Sequence, residues 1–422
     1  MTHSTKASEE FPKNAVELRA APQRLMIFLL LLAAAGVPSW TASPAGAGDQ
    51  GDLIAQFIWS VLYLVILGRL LPRLRDSYVI VTRSKLPLLI SGIAVLSTLW
   101  SVNPALTFRR AMALFGTTLC GLYLGTEYSM RDQLRLVAKA LGIAVVLSFI
   151  AGIGFPEIAR MSDFGGAWRG VFNHKNTLGH IMVLSAGVFV ILCRDTRTSR
   201  GSTVAFAVMS VILALLSRSA TAVFLLGSFF LLMLLYTAVI RGATITRMRI
   251  SVSVVVAAGL VAFAVKHLRT LLDLVGRDAT LSGRAGIWLV ALLAIIKRPF
   301  LGYGYDAYWS WRGTEVAGKL INFEAVHAHN GYLQMMLDIG LLGSSLFALM
   351  YCLSLVRAFR LAIRQDVGHG LWPVFLLLYG LLYNLTLPGF LARNQLFWIM
   401  MVAVYSSLSI SASRQSAPCP HN

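Results

Sequence analysis

Charge is what this sequence has least of. Asp, Glu, Lys and Arg make up 13% of the 422 residues, about half the share of a soluble domain, and 57% are hydrophobic. Mean hydropathy is +0.71. A soluble fold of this length is excluded. Acids are scarcer than bases, 18 Asp and Glu against 37 Lys and Arg, for a net charge of +19. The basic residues sit in short clusters between apolar runs rather than in a basic domain. Nucleic acid is therefore excluded as a partner, and anionic membrane lipids are expected at these clusters. Of four cysteines, Cys120, Cys193 and Cys352 lie in apolar runs and Cys419 lies near the C-terminus, with no metal spacing among them. That leaves neither a disulfide framework nor a zinc site. No Asp or Glu falls in the middle of a predicted span, which argues against a proton relay. Neither an Asp-x-Asp pair nor a His/Asp/Glu cluster asks for a catalytic metal, and without a P-loop ATP is not the energy source. No cofactor is expected.

What the sequence has is repeated apolar runs of membrane-crossing type. They predict an all-α polytopic membrane protein of about twelve spans. The runs are Leu25–Trp40, Leu53–Gly68, Leu86–Trp100, Ala111–Gly125, Leu136–Phe155, Thr177–Cys193, Thr203–Ser217, Ala220–Ile240, Ile250–Val265, Ile339–Val356, Leu371–Leu387 and Gln395–Ser411. Residues 1–24 and 412–422 read as cytoplasmic tails, 25–265 as spans one to nine, 266–329 as a large loop and 330–411 as the last three spans. A leader cleaved after the first run is a weak alternative, because acids interrupt residues 1–24 and no sharp small-x-small site follows. No internal repeat, heptad series or low-complexity tract stands out.

Basic residues set the orientation. With the N-terminus inside, inner segments hold 22 Lys and Arg and short outer loops hold seven, as the positive-inside bias requires. Both termini then lie inside and the 266–329 loop lies in the periplasm. The run Thr203–Ile240 would be about 57 Å long as one helix, against a hydrocarbon core of about 30 Å. Both its flanks are basic and inner, so it folds as a hairpin tipped by Ser217-Arg218-Ser219. Within the large loop, residues 285–296 predict a short helix stopped by Lys297-Arg298-Pro299. At about 18 Å it suits an interfacial or re-entrant position better than a span.

The polar groups concentrate on the predicted outer side. Arg218 sits at the hairpin tip and Arg284 at the start of the short helix, with Ser282 as its expected N-cap. Each guanidinium is either a solvated interfacial cation or a fork for phosphate oxygens, and a pair suits a diphosphate. His329 precedes a helical pattern at its expected N-cap. It reads as a cap or as an acceptor for a sugar hydroxyl proton. His327 would share its face only where the chain is extended. Arg169, His174, Lys175 and Asn176 form a second polar cluster, read either as an interfacial girdle or as ligands for a glycan or phosphate. Tyr303, Asp306 and Asn330 complete the set, with aromatic rings available to stack on sugars.

In their order and shared side, Ser217-Arg218, Ser282-Gly283-Arg284 with Trp288, and Ala328-His329-Asn330 with Tyr332-Leu333 and Gly340 form a recognisable set. The chain resembles the O-antigen ligase and Wzy-type polysaccharide polymerase superfamily. The Phe172-Asn173-His174-Lys175-Asn176 run makes it most similar to ExoQ-type exopolysaccharide polymerases. The resemblance implies a GT-C-like glycosyltransferase with the large loop between spans nine and ten, metal-independent and fed by a polyprenyl-diphosphate-linked glycan donor. It implies that Arg218 and Arg284 hold the diphosphate and that His329 activates the acceptor glycan. Chain-length regulators and export proteins are implied as partners. It leaves open whether the chain polymerises repeats or, as a ligase, moves a finished glycan onto lipid A-core. A transporter of lipid-linked sugars would show midplane charges and broken helices in matching halves, and the sequence shows neither.

Overall fold

A computed structural model of the protein describes residue 27 and residues 29–36, 53–76, 84–195, 198–240, 284–310, 325–364 and 367–416. The predicted ninth span, the loop from Lys266 to Gly283, the Trp311–Glu324 stretch and the N-terminal tail lie outside the described residues. The longer helices are α1 (Leu53–Asp76), α2 (Lys85–Leu96), α3 (Pro104–Glu127), α4 (Met130–Gly154), α5 (Lys175–Leu192) and α6 (Arg200–Leu216). They continue with α7 (Ala220–Ile240), α8 (Arg284–Lys297), α9 (Gly331–Arg364), α10 (Val367–Tyr383) and α11 (Leu396–Ser416). Two short strands, Arg160–Met161 and Ala167–Trp168, pair antiparallel in the loop before α5.

Helix starts follow local chemistry. Asn103 caps α3 through its side chain, with Pro104 in the first turn where a missing N–H costs nothing. Ser129 caps α4 by accepting from the Asp132 N–H. Among the described residues, four helical stretches, Ala55–Pro72, Met130–Gly154, Lys175–Leu192 and Gly331–Ile363, are long and apolar enough to cross a bilayer, and several shorter ones are apolar as well. Large side chains such as Phe57, Leu64, Ile153 and Ile363 are 68–76% exposed. In water that would be a sticky surface; around a membrane bundle it faces lipid. The hairpin expected between residues 203 and 240 is present, with α6 ending at Leu216 and α7 starting at Ala220.

Inside the bundle, small residues on α3 let α11 approach. A Cβ on Gly121 would lie 2.7 Å from the Ile399 carbonyl, and one on Gly125 would lie 2.7 Å from the Ser406 Cβ. This small-xxx-small spacing lets two backbones meet without a hydrophobic drive between them.

α9 starts at Gly331, where the helical pattern after His329 placed it, and so runs eight residues ahead of the apolar run from Ile339, with Asp338 inside it and buried. The helix is also broken, with Gly340 at φ 60° and ψ −165°. The Pro299–Tyr303 segment takes over the backbone bonds that the break frees. Leu341 N donates to Pro299 O (2.8 Å), Leu342 N to Phe300 O (3.1 Å) and Tyr303 N to Leu337 O (2.7 Å). Apolar surroundings leave no water to satisfy these groups, so a break survives only where protein supplies partners. Periodicity alone could not reveal the break, because the residues after Gly340 are as apolar as a continuous span.

Candidate functional site

The segments predicted to be outer gather at one end of the bundle. The 299–305 segment is fixed against the 97–102 turn: Val102 N donates to Tyr303 O (3.0 Å), the Trp100 indole to Leu301 O (3.0 Å) and Tyr305 N to Ser97 Oγ (3.0 Å). The Tyr305 hydroxyl crosses to Leu391 O in the loop before α11 (2.5 Å). Asn384 joins that loop to the start of α9. Its carbonyl accepts from Gly331 N, and its Oδ1 accepts from Gly389 N and Phe390 N, each at 2.8 Å.

His327 and His329 meet in this framework, with ring centroids 4.0 Å apart. His329 N donates to His327 Nδ1 (3.2 Å). Burial lowers the His327 pKa to about 4; nearby Asp306 opposes that shift and Arg284 reinforces it. His327 is therefore neutral near pH 7, as an Nδ1 acceptor must be. The same interactions place Arg284, Asp306 and His327 in one electrostatic neighbourhood. Trp288, one turn along α8 from Arg284, donates to Ala328 O (3.0 Å) and ties that helix to the histidine turn.

His329 is not the cap of α9. Asn330 is, its Oδ1 accepting from Tyr332 N (2.9 Å) and Leu333 N (3.1 Å). Asn is among the residues preferred at this position. His329 stands one residue earlier at φ 49°, a left-handed conformation uncommon for a non-glycine residue.

Asp306, also left-handed at φ 55°, is the hub of a cluster that the sequence reading missed. Its carboxylate lies 3.5 Å from Arg110 and 3.4 Å from Arg393. Its N–H donates to Asp338 Oδ1 (3.1 Å), which also accepts from Gln334 Nε2 (2.9 Å). Gln334 Oε1 accepts from Ala328 N and from the Trp309 indole, both at 3.0 Å. One signal for this was present: Gln334 and Asp338 stand four apart on the same face of an otherwise apolar helix. Tyr303 points away from the cluster, its hydroxyl donating to Ala294 O (2.9 Å).

Arg218 forms a second grouping. It is exposed at the hairpin tip with φ 45°, and Nη1 donates to Gly165 O (2.6 Å). Lys175 is buried, with Nζ 3.5 Å from Arg218 O and 4.4 Å from the Phe164 ring centre. His174 caps α5 by accepting from Asn176 N (3.1 Å). Arg169 is committed to backbone carbonyls of Ile158 (2.6 Å) and Asn173 (3.4 Å). Arg218 makes no hydrogen bond or ion pair with Arg284 or His329. The two groupings connect through α5 and α10: the His180 ring lies 4.8 Å from Tyr383, next to Asn384. The structure thus groups Arg284, Asp306 and His327 with His329 and Asn330 of the same turn, and groups Arg218 with Lys175, the two groupings being joined through the His180–Tyr383 contact and Asn384.

Comparison with known proteins agrees with the motif reading. The model of the O-antigen ligase family, Wzy_C, matches residues 198–348, which hold Arg218, Arg284 and the histidine pair. The exopolysaccharide production protein ExoQ of Rhizobium meliloti (strain 1021) is 24% identical over 301 residues, covering 68% of this chain and 67% of that protein. The chain is thus similar to O-antigen ligases and to ExoQ, and these likenesses support a membrane enzyme of the ligase or polymerase type.

Proposed function

We propose that this chain is a metal-independent membrane glycosyltransferase that joins polyprenyl-diphosphate-linked oligosaccharide repeats into exopolysaccharide or O-antigen. It acts at the periplasmic face of the bacterial inner membrane, with both termini cytoplasmic. The observation that carries this reading is the histidine pair held beside Arg284 and Asp306, at the end of the bundle that also presents Arg218.

In the proposed step an acceptor sugar hydroxyl gives its proton to the His329 imidazole while its oxygen bonds to the anomeric carbon of the donor. The bond from that carbon to the diphosphate oxygen breaks, and polyprenyl diphosphate leaves with the electron pair. Arg284 and Arg218 hold the charge that develops on the diphosphate, so the site needs no reorganisation as the bond breaks. Positioned proton transfer of this kind is worth roughly 10²- to 10⁴-fold. His327, neutral and hydrogen-bonded to the His329 backbone, fixes the turn without adding a second positive charge. The donor carries its own activation, which fits the absence of a nucleotide motif in the sequence. Chain-length and export proteins would act on the product.

The ligase reading stays close because the matching family is described as O-antigen ligase. Both readings use the same residues and differ in acceptor. In cells, His329→Ala should abolish surface polymer. Accumulation of single lipid-linked repeats marks a polymerase, and accumulation of long lipid-linked polymer marks a ligase. Surface polymer of normal length in that variant would remove the catalytic assignment.

A further inference from the structure

A cavity of about 960 Å³ lies at the opposite end of the bundle, between α4, α5 and α6. Its wall along α4 runs from Arg135 to Leu147, about 18 Å of helix. One leaflet's share of the hydrocarbon core is about 15 Å, so the recess has the depth of a single leaflet with a headgroup.

Polarity along it is graded. Arg135, Lys139, Ser199 and Ser202 line one end, while Val146, Leu147 and the stacked Phe189 and Phe206 rings line the rest. Gly142 makes room on the α4 wall; a Cβ there would only reach contact with the two rings, at 3.5 and 3.6 Å.

The polar end is positive. Asp195 is shared between Arg131 and Arg135, the latter at 2.7 Å, so one carboxylate faces two guanidinium groups. Asp132 is turned to Ser129 at the start of α4. Lys139 is exposed and makes no hydrogen bond or ion pair among the described residues. The first turn of the 17-residue helix α6 begins beside it, adding the positive end of a helix dipole.

We propose that this recess is a binding site for one anionic phospholipid, its phosphate held by Lys139 and Arg135 near Ser199 and Ser202 and one acyl chain laid along Val146 and Leu147 over the phenylalanine pair. A zwitterionic headgroup would bring its own cation against Lys139 and lose the complementarity. The site lies far from the proposed chemistry and does not depend on it.

The test uses the full chain, delipidated mildly and offered phosphatidylglycerol or phosphatidylcholine of identical acyl composition, with bound lipid counted by native mass spectrometry. Wild type should retain one phosphatidylglycerol per chain with about tenfold preference. Lys139→Gln should lower that preference about fivefold, the equilibrium equivalent of the ~1 kcal/mol that one basic residue contributes at an anionic surface. Val146→Trp fills the recess and should abolish retention of either lipid. Ile150→Trp, one turn further along α4 and outside the recess, should bind like wild type. Equal retention of the two lipids by wild type, or unchanged phosphatidylglycerol binding in both Lys139→Gln and Val146→Trp, would overturn the proposal.

Discussion

The two ends of the bundle use their cations differently. At the end predicted to be outer, Arg110 and Arg393 hold Asp306, Arg218 holds Gly165, and a hydrogen-bond series runs from Ala328 through Gln334 and Asp338 to Asp306. All five non-glycine residues with positive φ among the described ones, Arg218, Asp306, His329, Leu391 and Asn394, lie there. At the other end Asp195 gathers Arg131 and Arg135, Arg357 reaches Ser409 (2.7 Å), and Lys139 is left exposed. Left-handed residues of this kind cost on the order of 1–3 kcal/mol each and persist where surrounding contacts over-determine them. The end predicted to be outer is therefore preorganised, and the other end is where the lipid site is proposed.

Breaking that contrast should cost most where a charge of the outer end is removed. Arg284→Gln should lower glycan transfer by about 10²-fold, the usual loss of one preorganised donor to a developing oxyanion. The inner cation Arg131→Gln should leave the rate within about twofold. Similar losses in the two variants would erase the distinction between the ends.

Next in size is the break in α9. A side chain at Gly340 would need φ 60° and would press on the Phe300 carbonyl. Gly340→Leu should therefore destabilise the protein by about 3 kcal/mol or more and lower activity with it. Unchanged thermal unfolding would mean that the Pro299–Tyr303 segment does not depend on the break.

The smallest expected effect is a pH dependence. The His327 pKa falls from its ordinary 6.5 to about 4 on folding. The unfolded chain therefore binds the proton more readily between those values. Its contribution to stability is complete above pH 6.5 and declines as the pH falls from 6.5 towards 4. His327→Gln should flatten the melting temperature over pH 6.5 to 5, where carboxylates contribute little. A slope equal to wild type would place the titrating group elsewhere.

Most of the fold was legible because apolar runs of fixed length have few other uses. The predicted spans from Leu53 to Ile240 and from Ile339 onward each fall within or overlap a helix, and the short helix at 285–296 is α8. The hairpin at Arg218 followed from length together with the basic flanks on both sides. The partners of the polar groups were not legible. Arg110 and Arg393 reach Asp306 across large sequence separations, which no periodicity records. Asp338 was missed because it lies just ahead of the apolar run that begins at Ile339, inside the helix that follows His329. The cap itself moved by one residue, from His329 to Asn330.

The central claim is that the His329 imidazole takes the acceptor proton beside a diphosphate held by arginine. It is tested most directly by separating binding from transfer in purified protein given a defined polyprenyl-diphosphate-linked repeat. His329→Ala should bind the lipid-linked donor with an affinity within about threefold of wild type while transfer falls at least about 10²-fold. Transfer at the wild-type rate in that variant, with the donor still bound, would contradict the account.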